Sequence, residues 1–305
     1  MRLLTAVLLG FILQPAPASV PDSAALLNAL SETLQERYID AGVAVRMADA
    51  IRAREATGGF DAMATRADIA RTLNDLLQRI SHDKHLRVFD SPPPRPTITT
   101  RPPVGRQEVL DGNIGYIQVP SFVASPAESA PLFAAAMNAV SGTRALIVDV
   151  RGNGGGLPGT VALLAAYFLK PEPVLLATIE NRSQGTTVEH RTPATVDGPR
   201  YGETRPLYIL IDGRTASAGE SLAYFLQAAK RATVIGETSA GAANPGGIVR
   251  LPSDFAAFIP TGRVTNPVTG TNWEGRGVVP DVATAGADAL NVALEAVAAK
   301  ARPRG

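Results

Sequence analysis

Residues 207–247 hold the arrangement that most narrows what this chain can fold into. Leu207 to Ile211 is an unbroken apolar run of strand length, and it enters a turn of small residues that ends in Thr-Ala-Ser-Ala-Gly-Glu. A helical pattern begins at once after that turn, so Ser217 stands at a helix N-terminus. There the unpaired N–H groups and the positive end of the helix dipole can hold developing negative charge. A serine beside such donors has the makings of acyl-transfer chemistry. A serine in that place also serves as an ordinary helix cap.

The rest of the chain alternates in a way that suits such a strand–turn–helix unit. Ser23 to about His82 reads as helical, with Leu26, Leu27, Leu30 and Leu34 on one face and Asp22 or Ser23 as cap. A second helix is expected over Val45 to Ala56. Gly58-Gly59 breaks the pattern, and Thr65 caps a third helix carrying Ile69, Leu73, Leu76, Leu77 and Ile80. The prolines between Ser91 and Pro103 make an extended linker. Beyond them come strands at Ile114 to Val119, Ala145 to Val150, Val174 to Ile179 and Thr186 to Arg191. Further strands fall at Leu207 to Ile211, Thr233 to Ile235, Ile248 to Leu251 and Ala256 to Ile259. Helices are expected at Ala127 to Val140, Thr160 to Leu169, after Ser217, and at Asp288 to Ala301. This alternation argues for an α/β core, with the nearly all-apolar Ala145 to Val150 as a buried parallel strand.

Bulk properties exclude several functions. At 305 residues the chain can bury a substantial core, and a formal charge of +1 gives no ground for a nucleic-acid partner. Arg2, the apolar run Leu3 to Leu13 and Ala16-Pro17-Ala18 read as an export signal, which places the protein in a periplasm or outside the cell. No later stretch approaches a membrane span, so no stable span is expected after cleavage. There is no cysteine, hence no disulfide or thiol chemistry. Nothing has metal-ligand spacing, and no cofactor is expected. The glycine run Arg151 to Gly156 lacks the ending of a nucleotide-binding P-loop and fails the dinucleotide pattern.

Four stretches in order resemble one family. Thr-Ala-Ser-Ala-Gly-Glu with Val-Ile-Gly-Glu-Thr downstream is similar to the nucleophile region of the tail-specific (C-terminal processing) serine peptidases. Ala145 to Gly156 resembles their strand and glycine loop, Asn266 to Val282 their C-terminal signature, and Asp83 to Val88 the end of their helical region. The branch it most resembles holds the interphotoreceptor retinoid-binding protein domains and the tricorn protease core. The resemblance implies a ββα superhelix core of the ClpP/crotonase type behind a small helical bundle. The stretch between Val88 and Val109 is too short for the PDZ domain many members carry there. The implied divisions are 1–18 signal peptide, 19–90 helical domain, 91–106 proline-rich linker and 107–305 peptidase-like core. Peptides or unfolded proteins are the implied substrate; nothing in the sequence sets an oligomeric state.

The resemblance also assigns roles. Ser217 takes the nucleophile's position, and the N–H of Ala218 with that of Gly154 or Gly155 forms an oxyanion hole. Many members use a lysine as base, but Ala242 stands at its place, and Lys84, Lys170, Lys230 and Lys300 are the chain's only lysines. His85 falls where the tricorn-like members carry a histidine, which selects it over His82 and His190. An imidazole base predicts an activity limb near pH 6–7. Glu274 matches the acidic residue that orients the imidazole, yet the relay serine that should precede the histidine is Lys84. Glu274 is then expected to reach His85 directly or through water, to pair with Lys84, or to brace its loop. Glu220, in the first turn after Ser217, needs no role beyond complementing the helix dipole. The rival to a peptidase is a binding protein for apolar ligands or peptides on the same fold.

Overall fold

The computed structural model describes residues 23–94 and 101–301, so the proposed signal peptide lies outside the described residues. Three helices come first: α1 (Ser23–Arg37), α2 (Ala41–Ala56) and α3 (Arg66–Ser81). The start of α2 is earlier than hydrophobic periodicity suggests, because Asp40 caps it by accepting the N–H of Val43 at 2.9 Å. Thr65 caps α3 as expected, through the N–H of Asp68.

β1 (Arg87–Phe89) follows α3, then β2 (Gln107–Leu110), β3 (Ile114–Gln118), α4 (Pro126–Val140) and β4 (Ala145–Asp149). Next come α5 (Pro158–Ala166), the hairpin β5 (Leu175–Asn181) and β6 (Thr186–Arg191), then β7 (Leu207–Ile211), α6 (Ala218–Ala228) and β8 (Thr233–Gly236). The chain continues through β9 (Gly246–Arg250), β10 (Ala256–Pro260), β11 (Gly262–Thr265) and β12 (Val282–Ala283) to α7 (Ala289–Ala301). The protein is a mixed α/β structure.

The main sheet has the order β12-β8-β7-β4-β3-β2. Its pairs are parallel except β2 with β3. β4 and β7 are buried at every position, because helices cover both faces of the sheet. One face carries the largest apolar cluster, with Val148, Ile209, Leu222 and Trp273, and the other packs Ile147, Tyr208 and Leu210 against α7.

A second sheet, β1-β10-β9, ties the helices to the core. Leu26, Leu30, Ile51 and Leu73 of the helices share one cluster with Leu251, Phe255, Ala257 and Ile259 around the β9–β10 hairpin. Each buried leucine, isoleucine or phenylalanine among them contributes about 1.5–3 kcal/mol of apolar burial. β1 lies too short and too close to the helices to show a period of its own in the sequence; it is held by pairing Arg87, Val88 and Phe89 with Phe258, Ala257 and Ala256. The third sheet has the order β11-β5-β6. The loops leaving β4 and β7 meet at one end of the main sheet, and the segment 83–87 reaches the same place from the helices.

Candidate active site

Ser217 is the residue immediately before α6, with φ 55° and ψ −121°. A non-glycine side chain at positive φ is strained, costing roughly 1–3 kcal/mol, and persists only where its surroundings over-determine it. Those surroundings are specific. Glu220, fully buried, accepts the Ser217 N–H at 2.8 Å. The same carboxylate accepts the Ser239 hydroxyl at 2.5 Å, the Gly241 N–H at 2.6 Å and the Ala242 N–H at 3.0 Å. Burial pushes its pKa up and these bonds pull it back. Four donors converge on its oxygens, yet burial outweighs them and leaves its pKa above the ordinary carboxylate value. Dipole complementarity is thus only part of what Glu220 does.

A second set of bonds locks the glycine loop to the serine turn. Asp212 Oδ1 accepts the N–H groups of Gly152 and Arg214, at 2.9 and 3.0 Å. Asn153, fully buried, donates its side-chain amide to the Val119 carbonyl, and its backbone carbonyl accepts the Ala216 N–H. Asn153 Oδ1 accepts the Gly155 N–H at 2.8 Å. That engages the Gly155 N–H within the loop itself. The N–H groups of Gly154 and Ala218 have no hydrogen-bond partner among the described residues. Gly155 has another reason to be glycine. Its φ is 110°, and a Cβ there would lie 2.7 Å from the Ser217 Cβ.

Ser217, His85, Gly154, Gly155 and Ala218 all line one cavity of about 860 Å³, whose walls are largely apolar: Leu157, Val161, Leu176, Ile179, Phe225 and Val264. His190, on β6, lines it too. His82 is elsewhere, an exposed residue that ends α3 in the left-handed conformation. The His85 ring stacks on Phe258 with centroids 5.3 Å apart, and its buried Nδ1 has no hydrogen-bond partner. Burial lowers its pKa, while the charge of Asp83 and the backbone of Asn244 act the other way.

Two carboxylates stand beside the imidazole. Asp83, His85 and Glu274 each offer an atom within 4.8 Å of the others. Asp83 is buried and accepts the His85 backbone N–H at 3.0 Å through Oδ1, with Tyr38 Oη at 3.2 Å and Asn244 Nδ2 at 3.1 Å on Oδ2. Glu274 Oε2 accepts the N–H groups of Ala243 and Asn244 at 2.6 and 2.9 Å, and Oε1 takes a longer bond from the Lys84 N–H at 3.4 Å. Burial and the neighbouring Asp83 raise the Glu274 pKa. Protein donors, rather than an open coordination shell, face both carboxylates. The exposed Lys84 side chain makes no ion pair with Glu274; it lines a groove beside α3, outside the Ser217 cavity. The expected Glu274–Lys84 pairing is confined to the Lys84 backbone.

Ala242 is buried and uses both its backbone groups: its N–H donates to Glu220 and its carbonyl accepts Trp273 Nε1 at 3.3 Å. The sequence reading overlooked Asp83 as a partner of His85. Its spacing two residues before the histidine is the one local signal for it, since a short acidic side chain reaches back to the N–H two residues on.

The chain matches the model of peptidase family S41 over residues 113–284, the span from β3 to just past β12. It belongs to peptidase family S41. The C-terminal processing peptidase, chloroplastic, of Tetradesmus obliquus is 29% identical over 170 residues, covering 55% of this chain and 34% of that protein. The carboxy-terminal-processing protease of Bartonella bacilliformis is 28% identical over 177 residues, 57% of this chain and 39% of that one. The chain thus spans 27–39% of the length of the curated relatives it matches. Among solved structures, a candidate peptidase from Parabacteroides merdae is similar with a TM-score of 0.64 at 18% identity, covering 91% of this S41 chain and 97% of its own. That likeness extends the shared fold beyond the family match.

Proposed function

We propose that this S41 chain is an exported serine endopeptidase acting on unstructured or C-terminal peptide segments. The observation that carries the reading is Ser217 at positive φ, at the head of α6, facing a cavity shared with His85. Ser217 Oγ attacks the scissile carbonyl as the His85 imidazole takes its proton. The carbonyl oxygen, now negative, is held by the N–H groups of Gly154 and Ala218. Collapse of this intermediate expels the amine, which receives the proton back from His85, and leaves an ester on Ser217. Water, deprotonated by the same imidazole, then hydrolyses the ester. Asp83 and Glu274 supply negative charge beside the imidazolium that forms in each half.

A fluorophosphonate probe tests the reading. It should label Ser217 in the wild-type protein and leave Ser217→Ala unlabelled. A wild type that neither labels nor hydrolyses an unfolded casein substrate removes the peptidase assignment. The apolar lining of the cavity favours a second reading, a carrier of apolar ligands, which that outcome would select.

A further inference from the structure

The β9 strand is the free edge of the β1-β10-β9 sheet, and it begins at the cavity that holds Ser217 and His85. Its register fixes which backbone groups face outward. Gly247 pairs with Ile259 and Val249 with Ala257. Just beyond the strand ends, Leu251 N–H donates to the Phe255 carbonyl and Thr261 N–H to the Pro245 carbonyl. Hydrogen-bonded and non-bonded pairs alternate along an antiparallel ladder. Pro245, Gly247, Val249 and Leu251 therefore bond inward, and the N–H and C=O groups of Gly246, Ile248 and Arg250 point away from β10. None of these outward groups has a partner among the described residues.

The two faces of this sheet differ. Val249, Leu251, Ala257 and Ile259 pack on the helices. Ile248 shares the opposite face with Phe258, the residue on which His85 stacks. Ile248 is 46% exposed. Exposed edges are ordinarily blunted by charge, proline or cover. Along Gly246-Gly247-Ile248-Val249-Arg250 the only charge comes at the far end, while the end nearest the serine is two glycines.

We infer that the β9 edge receives the substrate chain as an added strand, pairing its backbone with Gly246, Ile248 and Arg250 and leading it into the cavity. This rests on the peptidase reading for the identity of the occupant, but its recognition is by backbone. Outward groups recur every second residue, about 6.8 Å apart, which is the repeat of an extended peptide. Such pairing accepts any sequence that is unfolded, and alternate side chains would share the face of Ile248 and Phe258.

The test uses binding, so that it stands apart from catalysis. A fluorescein-labelled, alanine- and valine-rich decapeptide without structure in water is titrated by anisotropy into the Ser217→Ala protein. Ile248→Pro removes one outward N–H and leaves the inward ladder whole, whereas Ile248→Ala shortens the side chain and keeps the N–H. Ile248→Pro should weaken binding about 3- to 10-fold more than Ile248→Ala, the worth of a backbone hydrogen bond or two. With Ser217 present, Ile248→Pro should keep its rate of fluorophosphonate labelling, showing an intact site. A set of peptides N-methylated one position at a time gives the same information from the ligand side, and does so even if Ile248→Pro fails to fold. Affinity should alternate with a period of two residues. Equal binding by both Ile248 variants together with a flat methylation scan would overturn the proposal. So would an Ile248→Pro protein that changes only its sedimentation, since the edge would then pair two copies of the chain. If no variant labels but the binding pattern appears, the peptidase reading fails and the strand-addition site remains.

Discussion

The Glu220 carboxylate accepts the backbone N–H of Ser217 at 2.8 Å, from three residues further along the chain. Through its other bonds it fastens that backbone to residues 239–242, so the unusual φ of Ser217 is tied to a segment distant in sequence. The strain of the serine turn and the burial cost of a carboxylate are offset by one set of four hydrogen bonds.

Glu220→Ala should therefore affect stability and activity together. It leaves four donors without their acceptor, and each buried donor left unmade costs ~1–3 kcal/mol. We expect a loss of at least about 3 kcal/mol by denaturant titration. Fluorophosphonate labelling of the folded fraction should fall as well. Unchanged labelling at reduced stability would mean that Ser217 holds its geometry without this carboxylate.

Gly155→Ala is a sharper probe of the same contact. The new Cβ would lie 2.7 Å from Ser217 Cβ and 3.1 Å from Oγ, at a φ of 110° that alanine resists. Either the serine or the loop must move. A displacement near 1 Å costs on the order of 100-fold in kcat/KM. The change should appear in peptide hydrolysis with little alteration of far-ultraviolet circular dichroism, because the loop and not the sheet gives way.

These contacts also mark how far the sequence could be read. Ser217 was legible because strand, turn and helix are consecutive and each is set by local pattern. His85 was found through family likeness, not through its surroundings, which come from β10 and from the 242–244 turn. Glu220 showed only its place in the first helical turn, since three of its four partners lie 19 to 22 residues away in sequence. The direction of the Gly155 N–H depends on Asn153 folding back on its own loop, which composition does not reveal. The short β1, β2, β11 and β12 strands were missed because they owe their existence to partners and not to a period of their own.

The pH dependence follows from the burial of His85. Desolvation disfavours the imidazolium, so the imidazole stays neutral to a lower pH than in water. The acidic limb of kcat/KM should lie below the ordinary imidazole value of 6.5, not across pH 6–7 as the unperturbed side chain would give. Asp83→Asn removes a charge that raises the His85 pKa, so it should move the limb lower still. A limb that rises or stays fixed in Asp83→Asn would detach Asp83 from the imidazole.

The division of labour between Asp83 and Glu274 can be measured with a double-mutant cycle. Glu274→Gln is mild in structure, because one amide oxygen can keep both short bonds from Ala243 and Asn244 that Oε2 now accepts. What it removes is charge. If that charge steadies the imidazolium, kcat should fall with little change in KM, and by less than in Ser217→Ala. Burial raises the Glu274 pKa, and the neighbouring charge of Asp83 adds to the rise. Removing the Asp83 charge then makes Glu274 a better anion, and the double variant should lose a different amount than the sum of the single losses, by roughly 0.5 kcal/mol or more. Lys84→Ala should change kcat less than twofold, since its side chain lies outside the cavity. Strict additivity would mean that the two carboxylates act independently, and an unchanged kcat in Glu274→Gln would leave Glu274 only as the brace of the 243–244 turn.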